Sequence, residues 1–323
     1  MSPLSEESDF VALPVRGQAG VFFSCLAPPA SECCFRMIHR GTKLVSNVKW
    51  FLAAIVAVRL VAGGAIAQGK PIPFGDNPAA GKYYDIDGFK MYCEIYGTGK
   101  PVLLIHGNGG SINAFKHNIP FFSEKYQVIA ADSRAQGKSK DSGSALTFEM
   151  MADDEAALLN TLHIDSAYVI GWSDGGIVAL LLAMRHPEKV IKLAATGANI
   201  QPDASAFRAG VWAGDKKHYE ADKNKIWKAE KDKNAWKLFM LDWDQPNIPF
   251  TALQSIRCPS LIICGDHDVI SIEHTVKIFQ NIPKAALWVV PSSGHGTLIE
   301  HAVEFNTKVD EFFSKSGGGS SHQ

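Results

Sequence analysis

Gly171-Trp172-Ser173-Asp174-Gly175 is the most informative segment of this sequence. It follows the apolar run 167–170 and precedes the apolar, helix-favouring run 177–184, which predicts a sharp turn between a buried strand and a buried helix. A serine at the tip of such a turn exposes its hydroxyl above the sheet and has its backbone near the positive end of the helix. The flanking glycines let neighbouring backbone approach without a Cβ clash. This segment therefore predicts that Ser173 is a nucleophile.

Three other segments carry the groups that a nucleophilic serine needs. An apolar run at 102–105 is closed by His106-Gly107-Asn108-Gly109-Gly110, a glycine-rich turn that offers backbone N–H groups to an oxyanion. Later apolar runs are followed by Gly265-Asp266-His267-Asp268 and by Gly294-His295-Gly296. Serine, aspartate and histidine, each after a strand and in this order, predict a Ser-His-Asp triad. Asp266 and Asp268 are both candidates for the acid of this triad.

From about residue 82 to 313 the sequence resembles the α/β-hydrolase family. The stretch Gly-Trp-Ser-Asp-Gly-Gly at 171–176, together with Thr-Gly-Ala-Asn at 196–199, is similar to the valacyclovir hydrolase (biphenyl hydrolase-like) branch. The resemblance implies an α/β fold: a mostly parallel eight-stranded sheet, helices on both faces and a small helical lid. The family's G-x-x-D spacing from Gly265 selects Asp268 as the acid, with Asp266 as the alternative.

The resemblance also implies roles for individual residues. Ser173 would attack a carbonyl carbon, His295 would take and return the proton, and Asp268 would orient the histidine. The backbone N–H groups of Asn108 and Asp174 would bind the oxyanion. The implied activity is carboxylesterase-like hydrolysis of small esters, without a metal or cofactor. Lactonase, C–C bond hydrolase, acyltransferase and perhydrolase chemistry use the same triad, and a catalytically silent binding protein is a further alternative.

The serine at the tip of the turn excludes two related classes. Haloalkane dehalogenases and epoxide hydrolases of this fold use an aspartate there, because a carboxylate forms their alkyl-enzyme ester. Here the aspartate, Asp174, comes one position later. Its charge either complements the dipole of the following helix or attracts a cationic group near the scissile carbonyl, as in amino-acid esters. Both interpretations stay open on the sequence alone.

Strands and helices alternate through most of the chain, which predicts a parallel sheet covered on both faces. The predicted strands are 82–86, 90–96, 102–106, 128–131, 167–170, 191–195, 260–264 and 286–290, and the predicted helices are 150–162, 175–185, 272–282 and 302–313. The alternation of strands and helices is interrupted at 199–257. Members of this family have their lid at this position, so we call these residues the lid segment. We expect Trp172 beside the serine and Trp212 and Trp243 of the lid segment to contact the substrate, together with Asp174.

The ends of the chain differ from the hydrolase-like part. Basic residues after Met37 precede an apolar stretch that ends in Ala65-Ile66-Ala67, which predicts a signal peptide over 37–67 and export to the periplasm or the medium. A membrane anchor is the alternative, since residues 50–67 as a helix reach about 27 Å, but Arg59 interrupts them. The expected organisation is an extension (1–36), the signal peptide, the core in two parts (68–198 and 258–315) around the lid segment, and a flexible tail (316–323).

Composition excludes several classes of function. The 323 residues have a formal net charge of −1 and 46% hydrophobic content, so nothing indicates a nucleic-acid partner. Beyond the predicted signal peptide only Cys93, Cys258 and Cys264 remain. The last two flank one strand of about 20 Å, too far apart for a disulfide, and no Cys/His spacing indicates zinc. The expected partner is a small-molecule ester, and no stable membrane anchor is expected after cleavage.

Overall fold

The computed structural model describes residues 73–315, apart from Ser142 and Ser144. The predicted extension (1–36), the signal peptide (37–67) and the tail (316–323) lie outside the described residues. No helix among the described residues is long and apolar enough to cross a membrane. The described residues thus comprise the hydrolase-like part of the chain, the lid segment included.

Eight strands form one sheet, in the order β1-β2-β4-β3-β5-β6-β7-β8. Pairs β1/β2 and β2/β4 are antiparallel and all other neighbours are parallel. This is the predicted mostly parallel eight-stranded sheet. The strands are β1 Gly81–Ile86, β2 Phe89–Tyr96, β3 Lys100–Ile105, β4 Tyr126–Ala131, β5 Ala167–Trp172, β6 Val190–Thr196, β7 Ser260–Gly265 and β8 Ala285–Val290.

Helices cover both faces of the sheet. The α-helices among the described residues are α1 Ile119–Phe122, α2 Phe148–Thr161, α3 Asp174–Arg185, α4 Val211–Asp222, α5 Glu230–Asp244, α6 Ile272–Asn281, α7 Thr297–Glu300 and α8 Ala302–Ser314. Short 3₁₀ turns lie at Ile112–Phe115, Pro187–Lys189 and Phe250–Ser255. Every strand and helix predicted from the sequence is present, with ends that differ by at most two residues.

The two apolar cores follow directly from the alternation of side chains along the strands. In β3, Leu103 and Ile105 belong to one buried cluster, whereas Val102 and Leu104 belong to the cluster on the opposite face. A parallel strand covered by helices on both sides must be apolar at every position, because neither face meets water. The carboxyl ends of these strands meet at one edge of the sheet, where the predicted site residues follow β3, β5, β7 and β8.

The lid segment lies between β6 and β7 and contains α4 and α5. No residue of α4 is fully buried, and only Leu238 and Leu241 are buried in α5. Helix α5 is joined to the body by polar contacts along its length: Asn234 Nδ2 donates to the Ala135 carbonyl at 2.7 Å, and Asn108 Nδ2 donates to the Leu238 carbonyl at 3.1 Å. Helices α4 and α5 therefore bury few apolar side chains, and α5 rests on the body through these polar contacts together with Leu238 and Leu241.

Candidate active site

Ser173 lies at the turn between β5 and α3, with φ 57° and ψ −122°. Positive φ is strained for a residue with a side chain, and such strain concentrates at functional sites. The turn closes only because its neighbours lack side chains: a Cβ on Gly171 would collide with the Gly175 carbonyl, and one on Gly175 would collide with the Ile105 carbonyl. The glycines thus hold Ser173 in the strained turn that the sequence predicts.

The structure brings Ser173, His295 and Asp268 together in one chain of hydrogen bonds. His295 Nε2 lies 2.9 Å from Ser173 Oγ, and His295 Nδ1 lies 2.6 Å from Asp268 Oδ1. Asp268 is 1% exposed and also accepts a hydrogen bond from the Ile270 backbone N–H at 3.0 Å. A buried carboxylate accepts only, so Nδ1 carries the proton and Nε2 is free to accept the serine hydroxyl.

Asp266, the alternative acid, has a different task. Its carboxylate accepts the backbone N–H groups of Ser292 at 2.9 Å and Ser293 at 3.1 Å, and it contacts His267 Nδ1 at 2.7 Å. These bonds, led by the one from Ser292, lower the pKa of Asp266 to about 2. The side chain of His267 is 68% exposed and faces solvent. Asp266 therefore fixes the backbone before His295 and does not contact the histidine.

Several contacts fix the segment around His295. The Glu300 carboxylate accepts the Gly294 backbone N–H at 2.7 Å, and Thr297 Oγ1 lies 2.7 Å from Thr196 Oγ1 at the end of β6. Trp172 Nε1 donates to the His295 carbonyl at 2.8 Å. Trp172 does not line the cavity above Ser173, so the structure corrects its predicted contact with substrate. Its side chain points from the end of β5 toward the His295 backbone instead, and it positions the histidine.

The turn after β3 lies directly beside Ser173. His106 is buried; its Nδ1 donates to the Gly107 carbonyl at 2.8 Å and its Nε2 accepts the Ser133 backbone N–H at 3.0 Å. Burial lowers the pKa of His106, so the neutral imidazole holds the turn in place. A Cβ on Gly107 would lie 2.9 Å from Ser173 Cβ, which shows how closely the turn approaches the serine.

The two expected oxyanion donors lie in the sequence directly after Gly107 and directly after Ser173. Asn108 is the residue after Gly107, and Asp174 is the first residue of α3. The first N–H groups of a helix have no acceptor within that helix, so the Asp174 N–H is available to a ligand. The positive end of α3 also favours negative charge at this point.

A cavity of about 220 Å³ opens above Ser173 and His295. Its aromatic wall includes Trp212 and Trp243, as the sequence predicts, and the indoles stack with ring centroids 4.6 Å apart and planes 3° apart. Tyr219 stacks on the other face of Trp243 at 4.4 Å. Phe207 and Phe239 complete this wall, and Phe239 lies four residues before Trp243 on one face of α5. Phe207 was not predicted from the sequence.

Three carboxyl groups line the same cavity: Asp174, Asp215 of α4 and Asp242 of α5. Burial raises the pKa of Asp174 to about 6, against the opposing effects of Asp242, Asn108 and His295. Burial and the adjacent Asp174 carboxyl raise the pKa of Asp242 well above its usual value. Of these three carboxyl groups, the sequence predicted only Asp174 to contact the substrate. Asp215 and Asp242 were not predicted, because nothing in the sequence distinguishes them from the many other charges of the lid segment.

Among the described residues, no group of three or more His, Cys, Asp or Glu side chains has a geometry that would hold a metal ion. The described cysteines, Cys93, Cys258 and Cys264, are free thiols. Burial raises the pKa of each, and none lines the cavity. The serine hydroxyl is therefore the candidate nucleophile at the cavity floor.

Comparison with known proteins identifies the fold and the relatives of this chain. A sequence profile of the α/β hydrolase fold matches residues 100–234. This range runs from the start of β3 through the turn at Ser173 into the lid segment. The chain has the α/β-hydrolase fold. This α/β-hydrolase is similar to the serine hydrolase BPHL of Homo sapiens, with 27% identity over 271 residues that cover 76% of this chain and 89% of the relative. The predicted resemblance to the biphenyl hydrolase-like branch is confirmed.

Other relatives of this α/β-hydrolase are also hydrolases. It is 25% identical to the 2-hydroxymuconate semialdehyde hydrolase of Pseudomonas sp. strain CF600 over 272 residues, 75% of this chain and 96% of the relative. A variant of the meta-cleavage product hydrolase CumD from Pseudomonas fluorescens IP01 has the same fold, with a TM-score of 0.61, 22% identity, and coverage of 73% of this chain and 98% of that chain. The enol-lactonase from Burkholderia xenovorans LB400 superimposes with a TM-score of 0.61 at 20% identity, covering 72% and 100% of the two chains.

Proposed function

We propose that this protein is a serine hydrolase that cleaves small carboxylic esters through an acyl-enzyme intermediate. The observation that carries the proposal is the hydrogen-bonded chain from Ser173 Oγ through His295 to the buried Asp268 carboxylate, at 2.9 Å and 2.6 Å. This arrangement opens into a cavity of ligand size beside two backbone N–H groups suited to an oxyanion.

The geometry supports a two-step mechanism. Ser173 Oγ bonds to the ester carbon while His295 Nε2 takes the hydroxyl proton, and the carbonyl oxygen becomes an oxyanion. The N–H groups of Asn108 and Asp174 stabilise that charge. When the intermediate collapses, the bond to the alkoxy oxygen breaks, and His295 gives its proton to the departing alcohol. Water then attacks the acyl-enzyme by the same route, which releases the acid and restores Ser173.

The charges of the cavity favour an ester over the substrates of the C–C bond hydrolases. The relative named 2-hydroxymuconate semialdehyde hydrolase acts, by that name, on the semialdehyde of a dicarboxylic acid, which keeps one carboxylate. In this chain no Lys or Arg occurs among the described residues of the cavity wall, whereas three aspartates do. A carboxylate ligand would meet like charge in a poorly solvated space, so the cavity disfavours it. A neutral or cationic ester meets no such repulsion.

Turnover of p-nitrophenyl acetate by the Ser173→Ala variant tests the proposal. We expect a loss of at least about a thousandfold in kcat, because the members of a triad act as a unit. The exposed Ser255, changed to alanine, serves as the matched control and should keep the parent rate. Parent-like turnover by Ser173→Ala would refute the nucleophile, and absence of any serine-dependent burst in the parent would identify a binding protein.

Labelling gives a second readout that does not depend on the natural substrate. An aryl phosphonate transfers its phosphorus to an activated serine and expels the aryloxide, which leaves a stable adduct of known mass. We expect the adduct on the peptide that contains Ser173, and no adduct in the His295→Ala variant. Labelling that persists without His295 would show that the serine is not activated through the histidine.

A further inference from the structure

The two ends of the lid segment meet at one buried histidine. His274, in the first turn of α6, is 1% exposed, and its Nε2 accepts the backbone N–H of Ile200 at 3.0 Å. Ile200 is the second residue of the lid segment, and its carbonyl accepts the backbone N–H of Ile248, near the end of that segment, at 3.0 Å. The ring of Phe250 lies edge-on to the imidazole, with centroids 5.4 Å apart. His274 therefore joins the place where the chain enters the lid segment to the place where it leaves.

The start of α6 holds the first part of the lid segment at a second point. The backbone N–H of Ser271, the N-cap of α6, donates to the Ala206 carbonyl at 2.8 Å. Directly before it, the Val269 carbonyl accepts the backbone N–H of Arg208 at 2.9 Å. Residues 200–206 thus form a loop whose two ends are both bound at the start of α6, and we call them the neck loop.

The neck loop lies between two stretches of chain that contact the proposed catalytic residues. Three residues before the loop, Gly197 is so close to His295 that a Cβ would lie 2.8 Å from Cε1. Directly after the loop, Phe207 forms an antiparallel bridge with Ile270. The N–H of Ile270 donates to Asp268 Oδ1 at 3.0 Å, the atom that also contacts His295 Nδ1. A shift of the neck loop would therefore move the surroundings of both the histidine and the acid.

We propose that His274 is a positioning residue whose neutral imidazole holds the neck loop and thereby keeps His295 aligned with Asp268. The inference rests on the proposed ester hydrolysis and adds to it a residue outside the cavity wall. Ile200 is fully buried, so its N–H would have no partner if the imidazole ceased to accept. Movement of the neck loop toward water would relieve that cost, and it would release the ring of His295 from Gly197.

The imidazole of His274 has to be neutral to accept this hydrogen bond. Since Nε2 accepts, Nδ1 carries the ring proton. Burial, and after it the charge of Lys277 on the same helix, lower the pKa of His274 from 6.5 to about 4, against the opposing charge of Asp203 in the neck loop. At neutral pH the histidine is therefore a fixed acceptor that takes no part in proton transfer.

Steady-state kinetics of the full-length protein on p-nitrophenyl acetate compare two substitutions of His274. His274→Gln offers an amide oxygen in place of Nε2, whereas His274→Leu fills the space without an acceptor. In His274→Leu we expect kcat to fall at least about tenfold and KM to change less than about threefold, because the cavity wall stays while the triad loses alignment. His274→Gln should keep kcat within about threefold of the parent. Equal losses in the two variants would overturn the role of the acceptor.

Thr275→Val is the matched control for damage to α6. Thr275 is the next residue on the helix and is also buried, and its hydroxyl donates to the Ser271 carbonyl at 3.4 Å, without a bond to the neck loop. We expect this variant to lower stability in urea unfolding while kcat stays at the parent value. If Thr275→Val loses as much kcat as His274→Leu, general destabilisation of α6 explains the loss and the positioning role falls.

The pH dependence of stability tests the neutral state of His274. Between pH 6.5 and about 4 the unfolded chain binds a proton that the folded protein excludes. The unfolding equilibrium constant therefore gains about a factor of ten from His274 for each unit of falling pH in this window. Glutamine does not titrate, so His274→Gln should gain stability relative to the parent as the pH falls from 6.5, and the difference should be constant above it. A difference without pH dependence would contradict a neutral acceptor.

Hydrogen–deuterium exchange tests the neck loop without any catalysis. We expect peptides that contain Ile200 to exchange at least about tenfold faster in His274→Leu and at the parent rate in His274→Gln. Parent-like protection in His274→Leu would overturn the proposal. If Ser173→Ala keeps parent turnover, the proposed hydrolysis falls, while the exchange rates still decide whether His274 holds the neck loop. If hydrolysis depends on Ser173 and His274→Leu keeps the parent kcat, the mechanism stands and the positioning role falls.

Discussion

At the scale of single residues, Gly197 sets the position of His295, the proposed catalytic histidine. It has φ +65°, and a Cβ there would lie 2.8 Å from His295 Cε1 and 3.0 Å from Nδ1. Gly197→Ala therefore pushes the imidazole away from Asp268 and also strains the backbone by about 1 to 2 kcal/mol. We expect kcat on p-nitrophenyl acetate to fall at least about a hundredfold, with a folded circular dichroism spectrum.

Gly210 is the matched control for this substitution. It also has positive φ, at +91°, but nothing lies within 4 Å of the position a Cβ would take. Gly210→Ala should therefore lose stability to a similar degree and keep its activity. If both variants lose activity equally, backbone strain rather than displacement of His295 would explain the result.

At the scale of elements, stacked aromatic rings attach α4 to the rest of the lid segment. Trp243 of α5 stacks with Trp212 at 4.6 Å and Tyr219 at 4.4 Å, both from α4, which buries no residue fully. Two such pairs contribute about 1 to 3 kcal/mol. In Trp243→Ala we expect trypsin to cleave after the lysines of α4 at least about fivefold faster. Trp288→Ala, on β8, should leave that rate unchanged.

A buried acid makes the packing of α2 sensitive to pH. Glu155 is 2% exposed, its Oε2 has no hydrogen-bond partner in the described part of the chain, and burial raises its pKa to about 8 from 4.5. Between these two values the unfolded chain has released the proton that the folded protein keeps. Its contribution to the free energy of unfolding therefore falls by about 1.4 kcal/mol for each unit of rising pH, and levels off above about pH 8.

Glu155→Gln removes this titration and should flatten the dependence of stability on pH. Urea unfolding of parent and variant at several pH values measures the difference, which should grow in favour of the variant from pH 5 to about 8. Glu149→Gln, half-exposed on the same helix, is the control. A difference that does not change with pH would show that Glu155 is ionised in the folded protein.

For the whole molecule, the fold and the proposed triad could be predicted because their signals are local. Ser173 and His295 each follow an apolar strand in a glycine-rich turn, and a parallel sheet brings such turns to one edge. The residues that the lid segment contributes to the cavity wall could not all be predicted from such local signals. Asp242 is one of many charges there, and only the structure shows that it lines the same cavity as Asp174. Trp172 was misassigned because its neighbour in sequence, Ser173, faces the cavity while its own indole faces the His295 backbone.

The predicted export remains a prediction about the whole chain, and one structural detail bears on it. The buried Glu94 accepts the backbone N–H groups of Gly75 at 2.8 Å and Asn77 at 2.7 Å. Cleavage after Ala67 keeps both of these residues, so processing leaves Glu94 with these two donors. We expect mass spectrometry of protein from its native host to find Gln68 at the amino terminus. Mature protein that begins at Met1 or Met37 would contradict this.

The parallel indoles in the cavity wall also make the protein its own optical probe. Transition dipoles of two chromophores in van der Waals contact couple, and the coupling depends steeply on their separation and mutual angle. Trp212 belongs to α4 and Trp243 to α5, so any movement of one helix against the other changes the exciton signal of this pair. Far-ultraviolet circular dichroism, recorded with and without a bound ligand, would therefore follow the opening of the cavity without any attached label.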